Sequence, residues 1–255
     1  MVVGCTALGN VELGPPKTHS LLREQLSIHT DFPLAAQHRL IEELAAKRYD
    51  LSRELALPVS NEPIHIYLFD EEPRFRAFIE ARYPDFPRRR AFFIETDTRL
   101  LVYAYWGDRV AEDLRHETTH GYLHAMVPNL PLWLDEGLAE YFEVPRGHDG
   151  MNRAHLRRLV KRLDEGQWRP ELGRLHAMTS SFEMTQDDYA EAWAWVHFLL
   201  HSHPAHRTLL RSYLDELRRE GTAEPIPGQL ARLLSRPEDA LVGHVRLVAD
   251  SRRAR

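Results

Sequence analysis

The hydrophobic pattern changes period near residue 106, and this constrains the fold more than any other feature. Before that point, short branched and aromatic runs read as strands. They cover about Leu22–Asp31, Ile64–Phe69, Ala91–Glu95 and Arg99–Tyr105, the last two joined by the turn-prone Thr96-Asp97-Thr98. Two helices interrupt them. One runs from Pro33 to about Leu57, with Leu40, Ile41, Leu44, Leu51 and Leu55 at helical spacing; the other covers Glu71–Tyr83. Beyond residue 106 the spacing predicts only helices: one ending near Met126, then Leu132–Phe142, Asn152–Glu165, Tyr189–Ser202, His206–Glu220 and Pro237–Ala249. Asp108 is placed to cap the first of these, Pro128 to stop it and Pro131 to start the next. Strands segregated from helices predict an α+β fold. The expected organisation is a leader or linker over 1–19, an N-terminal lobe over 20–145 and a helical C-terminal lobe over 146–255 of the same domain.

Composition removes several classes of function. A net charge of −5 disfavours nucleic-acid binding driven by bulk charge. One cysteine permits neither an intrachain disulfide framework nor a Cys-rich zinc module. No apolar run of about 18 residues is present to span a membrane. That cysteine, Cys5, ends the stretch Met1-Val-Val-Gly-Cys5, which has the residue order of a bacterial lipoprotein cleavage site without the charged start and long apolar stretch. It reads either as chance in a leader or as the tail of a lipoprotein signal whose gene start was placed too late. The second reading makes Cys5 a lipid anchor outside the cytoplasm, with Gly14-Pro15-Pro16 as linker. The first leaves the chain cytoplasmic.

The chain has 15 histidines, and one pair has metal-ligand spacing. In His116-Glu117-Thr118-Thr119-His120 the two histidines lie about 40° apart around a helix and about 6 Å apart along it. Both imidazoles therefore reach one tetrahedral Zn²⁺. Glu117 lies about 60° to the side of His120. It misses the metal but reaches the water that such a metal activates, where a general base is needed. Leu123 and Met126 occupy the positions that an all-histidine ligand set would require, so the third ligand must come from elsewhere. His124 is a further turn along and too far up the axis to share a metal with His116, which makes it a surface or supporting residue. The helix Leu132-Trp-Leu-Asp-Glu-Gly-Leu-Ala-Glu-Tyr-Phe142 follows after a short loop and should pack antiparallel to the first. Glu136 and Glu140 are one turn apart there, and either can point at the first helix. Gly137 permits a close helix approach. The apolar run Leu100–Trp106 suggests an edge strand that receives an extended peptide.

H-E-x-x-H followed by W-L-x-E-G-x-A-x-Y resembles the gluzincin metallopeptidases of the peptidase MA clan. The resemblance implies a zincin-like fold. It would have a small mixed sheet with helices, the active-site helix pair as floor, and a helical lobe closing the cleft. It also implies that Glu136 is the third zinc ligand beside His116 and His120, with Glu117 as base. The 15 residues between His120 and Glu136 are fewer than in the clan's large aminopeptidases, and their amine-gripping motif is absent. Tyr189-Ala-Glu-Ala-Trp-Ala-Trp-Val-His-Phe-Leu-Leu200 resembles a helix of an uncharacterised bacterial family, domain of unknown function 1570.

The implied chemistry is zinc-assisted hydrolysis of a peptide or protein substrate, with Glu117 moving the proton. Asp135 is placed to orient a ligand histidine. A donor besides the metal is needed for the developing oxyanion. Tyr189 and His197 are the candidates from the later helix, and Tyr141 is a third. Two alternatives share the zinc helices: a non-catalytic zinc-binding scaffold, and an amidase acting on cell-wall material.

Overall fold

The computed structural model describes residues 14–253, so the lipid-anchor reading of Cys5 lies outside the described residues. Among these residues the order is β1 (His19–Arg23), β2 (Leu26–Thr30), α1 (Arg39–Leu55), β3 (Ile64–Phe69), α2 (Glu72–Arg82), β4 (Ala91–Thr96), β5 (Arg99–Tyr105), α3 (Val110–His124) and α4 (Leu132–Phe142). Six helices complete it: α5 (Arg153–Asp164), α6 (Leu172–Ala177), α7 (Gln186–His201), α8 (Pro204–Glu220), α9 (Ile226–Leu233) and α10 (Pro237–Arg253). This is the α+β arrangement expected, with a mixed sheet first and helices after it.

The strands form one five-stranded sheet in the order β1-β2-β3-β5-β4. β1–β2 and β5–β4 pair antiparallel, while β2–β3 and β3–β5 pair parallel. Parallel neighbours need a crossover, which α1 supplies before β3 and α2 supplies before the β4–β5 hairpin. Alternation assigns the two faces. Ile28, Ile66 and Val102 stand opposite one another across the three central strands and enter the main core. Phe69, Leu101 and Tyr103 point the other way and pack with Phe75, Phe78 and Ile79 of α2. The main apolar core is continuous from Leu26 in the sheet through Leu138 to Val245, so it joins the sheet to the C-terminal helices.

α7 is the centre of the helical half. Every residue from Asp188 to Leu200 is buried, which is the mark of a helix surrounded by others. Its start is fixed by a capping box between Thr185 and Asp188. Its one buried acid facing the tryptophans, Glu191, accepts from Trp168 Nε1 at 2.9 Å, Trp195 Nε1 at 3.3 Å and Glu171 N at 2.6 Å. The loop before α6 is thereby tied to α7.

Several boundaries differ from the sequence expectation. The strand expected over Leu22–Asp31 is a hairpin, because Glu24 adopts φ 52° and reverses the chain between β1 and β2. The helix expected from Pro33 begins at Arg39, where His38 Nδ1 accepts from Leu40 N at 3.3 Å. Asp108 does not cap α3; Arg109 holds that position and no side chain bonds the first turn. The strand expected as an edge, Arg99–Tyr105, lies between β3 and β4, so the free edge on that side belongs to β4. The helices α6 and α9 lie outside the sequence expectation, and α6 has too few turns to show a period. No helix among the described residues is long and apolar enough to cross a membrane.

The closest approach between helices sets the geometry around α4. A Cβ on Gly137 would lie 2.6 Å from the Ala192 carbonyl oxygen of α7, so glycine is required there. Gly137→Ala should destabilise the protein by about 1–3 kcal/mol. Gly173→Ala in α6 meets no heavy atom within 4 Å and should be neutral or slightly stabilising. Denaturant melts of the two variants check the contrast.

Candidate metal centre

α3 lies on the main-core face of the sheet. Gly121 is the point of contact, where an added Cβ would stand 3.0 Å from Ile64 Cγ2. Thr118 and Thr119 turn inward and return their hydroxyls to the Leu114 and Arg115 carbonyls one turn back, so these buried polar groups are satisfied within the helix. The histidines are left on the face toward α4. Cross-helix pairs run His124–Asp135, His120–Asp135 and His116–Glu143. Rising numbers on one helix meet falling numbers on the other, which makes the pair antiparallel as expected.

Three donors converge between the helices. His116 Nε2 and His120 Nε2 are 3.2 Å apart, and Glu136 Oε2 lies 3.5 Å and 3.6 Å from them. A tetrahedral ion with bonds of about 2.0 Å to nitrogen and oxygen has donor–donor edges of about 3.3 Å. The three measured edges match that figure. Glu136 is 5% exposed, and its Oε2 has no hydrogen-bond partner among the described residues. An orphaned buried carboxylate oxygen facing two imidazole nitrogens is an arrangement that a cation satisfies. These residues therefore fit a metal ion. Of the two acids left open by the sequence, Glu136 faces both histidines, whereas Glu140 Oε2 is bonded to His155 Nε2 at 2.7 Å.

The second ring nitrogens each face a carboxylate. His120 Nδ1 lies 2.9 Å from Asp135 Oδ1, and His116 Nδ1 lies 3.1 Å from Glu143 Oε2. Each carboxylate fixes the tautomer that presents Nε2 to the centre. Both carboxylates are themselves held. Asp135 Oδ2 is 3.1 Å from His124 Nε2, and His124 Nδ1 is 2.7 Å from Glu95 Oε2 on β4. Glu143 Oε1 accepts from Asn152 at 2.9 Å. His124 is thus a supporting residue tied to the edge strand.

The charges follow from these contacts. Burial alone would lower the His116 and His120 imidazoles, but the carboxylates around them outweigh it and raise both. Burial would raise Asp135, but His120 and His124 hold it far below the usual carboxylate range. His124 is pushed up to about 9, because Asp135 and Glu95 overcome its burial. The protons these imidazoles attract are the ones a metal ion displaces. Burial pushes the Glu117 carboxyl up, against the pull of His116 and His120, and a raised carboxylate is the stronger base.

The remaining sequence candidates separate. The Tyr189 hydroxyl accepts from Arg89 Nη2 at 3.1 Å and donates weakly to Ser181 O at 3.4 Å. It is pushed up to about 12 by burial and by the nearby Glu136 charge. Tyr189 stands about one turn before Ala192 of α7, whose carbonyl lies against Gly137 next to Glu136. His197 and Tyr141 are not brought to the centre. His197 Nδ1 is 2.9 Å from His244 Nε2, and the Tyr141 hydroxyl is 2.8 Å from His201 Nε2, further along α7. Two residues of the site went unread in the sequence. Glu143 carried a usable signal, since it follows Glu136 by seven residues and returns to the same helix face. Arg89 carried none, standing within Arg88-Arg89-Arg90 in a loop.

A family model described as "Protein of unknown function (DUF1570)" matches residues 111–220, from the first turn of α3 to the end of α8. The match takes in both metal helices and α7, and it supports the resemblance to that uncharacterised family. None of the curated proteins compared with the chain matches it.

Removing an orienting carboxylate should weaken the centre without removing a donor. Asp135→Asn and Glu143→Gln should each lower metal affinity by about 10- to 100-fold, read by competition with a chromophoric zinc chelator.

Proposed function

We propose that this chain is a zinc metallopeptidase, with His116, His120 and Glu136 as ligands and Glu117 as general base. The observation that carries the reading is the convergence of His116 Nε2, His120 Nε2 and Glu136 Oε2 at tetrahedral spacing, beside a carboxylate raised by burial. Two imidazoles and one carboxylate suit zinc. The set supplies three protein ligands, as catalytic zinc sites do, whereas structural sites close with four. That count favours an enzyme over a zinc-bearing scaffold.

A zinc ion held there would supply Lewis acidity for a substrate carbonyl and for water. The chain's own residues do the rest. Glu117 takes a proton from the attacking water and delivers it to the nitrogen of the leaving amine. The Tyr189 hydroxyl, polarised by Arg89, turns from its weak contact with Ser181 to the carbonyl oxygen as charge grows there. Asp135 and Glu143 hold the histidine tautomers. β4 is the sheet edge beside this centre, with Phe93 stacked on His120 at 5.7 Å between ring centroids. An extended peptide adding to that edge places its backbone over the histidines.

Glu117→Gln should lower peptide hydrolysis by about 10²- to 10⁴-fold while retaining one zinc per chain. Glu136→Gln should lose the zinc, and with it the rise in melting temperature that added zinc gives the parent protein. Metal analysis and a mixed-peptide digestion read by mass spectrometry check both. Zinc-loaded parent protein that leaves a broad peptide library intact would overturn the reading.

A further inference from the structure

The arginines near the centre differ in one respect. Arg90 grips Asp113, with Nε at 2.9 Å and Nη2 at 2.6 Å. Arg158 and Arg162 share Asp187, and Arg174 holds Asp188. Arg89 bonds only two neutral acceptors, the Ser181 carbonyl at 3.2 Å and the Tyr189 hydroxyl at 3.1 Å, both through Nη2. No carboxylate lies within ion-pair distance of it among the described residues, although it is half-buried. Its Nε and Nη1 remain available to a ligand, and a guanidinium edge matches a carboxylate with two parallel bonds.

The position of Arg89 is fixed by the two loops it joins. Phe86 packs edge-on against Phe182 at 5.8 Å and against Phe92 at 5.2 Å, which holds the loop before β4 to the loop before α7. Arg89 spans the same two loops. Through the Tyr189 hydroxyl it reaches α7, whose Ala192 carbonyl lies against Gly137, the residue after Glu136. It also stands two residues ahead of β4, the edge strand whose Phe93 covers His120. A peptide added antiparallel to β4 points its C-terminus toward the Arg89 end of that edge. Glu136 stands at the centre, Glu117 between its two histidines in sequence, and Asp135 and Glu143 behind those histidines. A substrate carboxylate is repelled there unless a cation receives it.

We propose that Arg89 is the binding site for the free α-carboxylate of a peptide, so that the protein acts as a carboxypeptidase on the C-terminal end of its substrate. This rests on the peptidase reading above. In the reaction, water adds to the carbonyl of a bond near the C-terminus and the C–N bond breaks. Glu117 carries the water proton to the departing nitrogen. The products are a shortened peptide with a new carboxylate and a released amino acid or short fragment.

The test uses the peptide Ala-Ala-Phe-Ala with a free or an amidated C-terminus. Binding is measured by calorimetry on zinc-loaded Glu117→Gln protein, and hydrolysis on zinc-loaded protein with Glu117 intact. The free acid should bind about 10- to 100-fold more tightly than the amide. Adding Arg89→Leu should close that gap to about twofold, and Arg89→Lys should keep part of it. In the hydrolysis assay Arg89→Leu should raise KM for the acid more than it lowers kcat. Retention of one zinc per chain shows that each variant is folded. Equal binding of acid and amide, or an equal loss for both in Arg89→Leu, overturns the proposal. Hydrolysis without an acid preference removes the carboxylate site and leaves the peptidase reading. An acid preference in binding without hydrolysis does the reverse. If neither peptide binds or is cut, both fall.

Discussion

The centre depends on how closely α4 can be held between α3 and α7. On one side α7 presses its Ala192 carbonyl into the space left by Gly137, where a methyl group does not fit. On the other side Glu136 must come within 3.6 Å of two imidazole nitrogens. A displacement of α4 by one methyl radius would change every edge of the donor triangle. The packing of α7, buried on all sides, supplies the rigidity that keeps α4 in place. The geometry of this donor cluster is therefore a packing result, and its tolerance is that of a core.

Burying so many acids between two helices would be prohibitive without compensation. The compensation is arranged in chains that alternate carboxylate and imidazole. Glu95, His124, Asp135 and His120 form one chain, and Glu143 with His116 forms another. Glu136 Oε2 is a buried oxygen that neither chain satisfies. A divalent cation would complete the balance at the point where the two histidines end. The chain through His124 has a further effect, since it ties the floor of the cleft to β4. The edge that would carry a peptide and the ligands beneath it are thus braced by one line of hydrogen bonds.

Much of this was legible in advance. The helical repeat brought His116 and His120 to one face, and the return of Asp135 and Glu136 after a short loop brought acids opposite them. Asp135 was expected to orient a histidine, and it does contact His120. His124 was expected as a surface or a supporting residue, and it bonds Asp135 and Glu95. The strands of the central sheet were also clear, because alternation is a local property. The hairpin at Glu24 was obscured by a run that keeps the same alternation on both sides of the turn. The edge strand was misassigned for another reason. The run Arg99–Tyr105 is the most apolar strand, which reflects burial on both sides and so an interior position.

The sequence by itself determined which residues can bind a metal and which side of a helix they share, because both follow from chemistry and a repeat of 3.6 residues. It also determined the α+β partition, through the change of period. Only the tertiary structure decided that Glu136 and not Glu140 reaches both histidines, and that Arg89 of a distant loop bonds the Tyr189 hydroxyl. Those choices depend on the separation and rotation of elements far apart in the chain. Local periodicity contains no information about either.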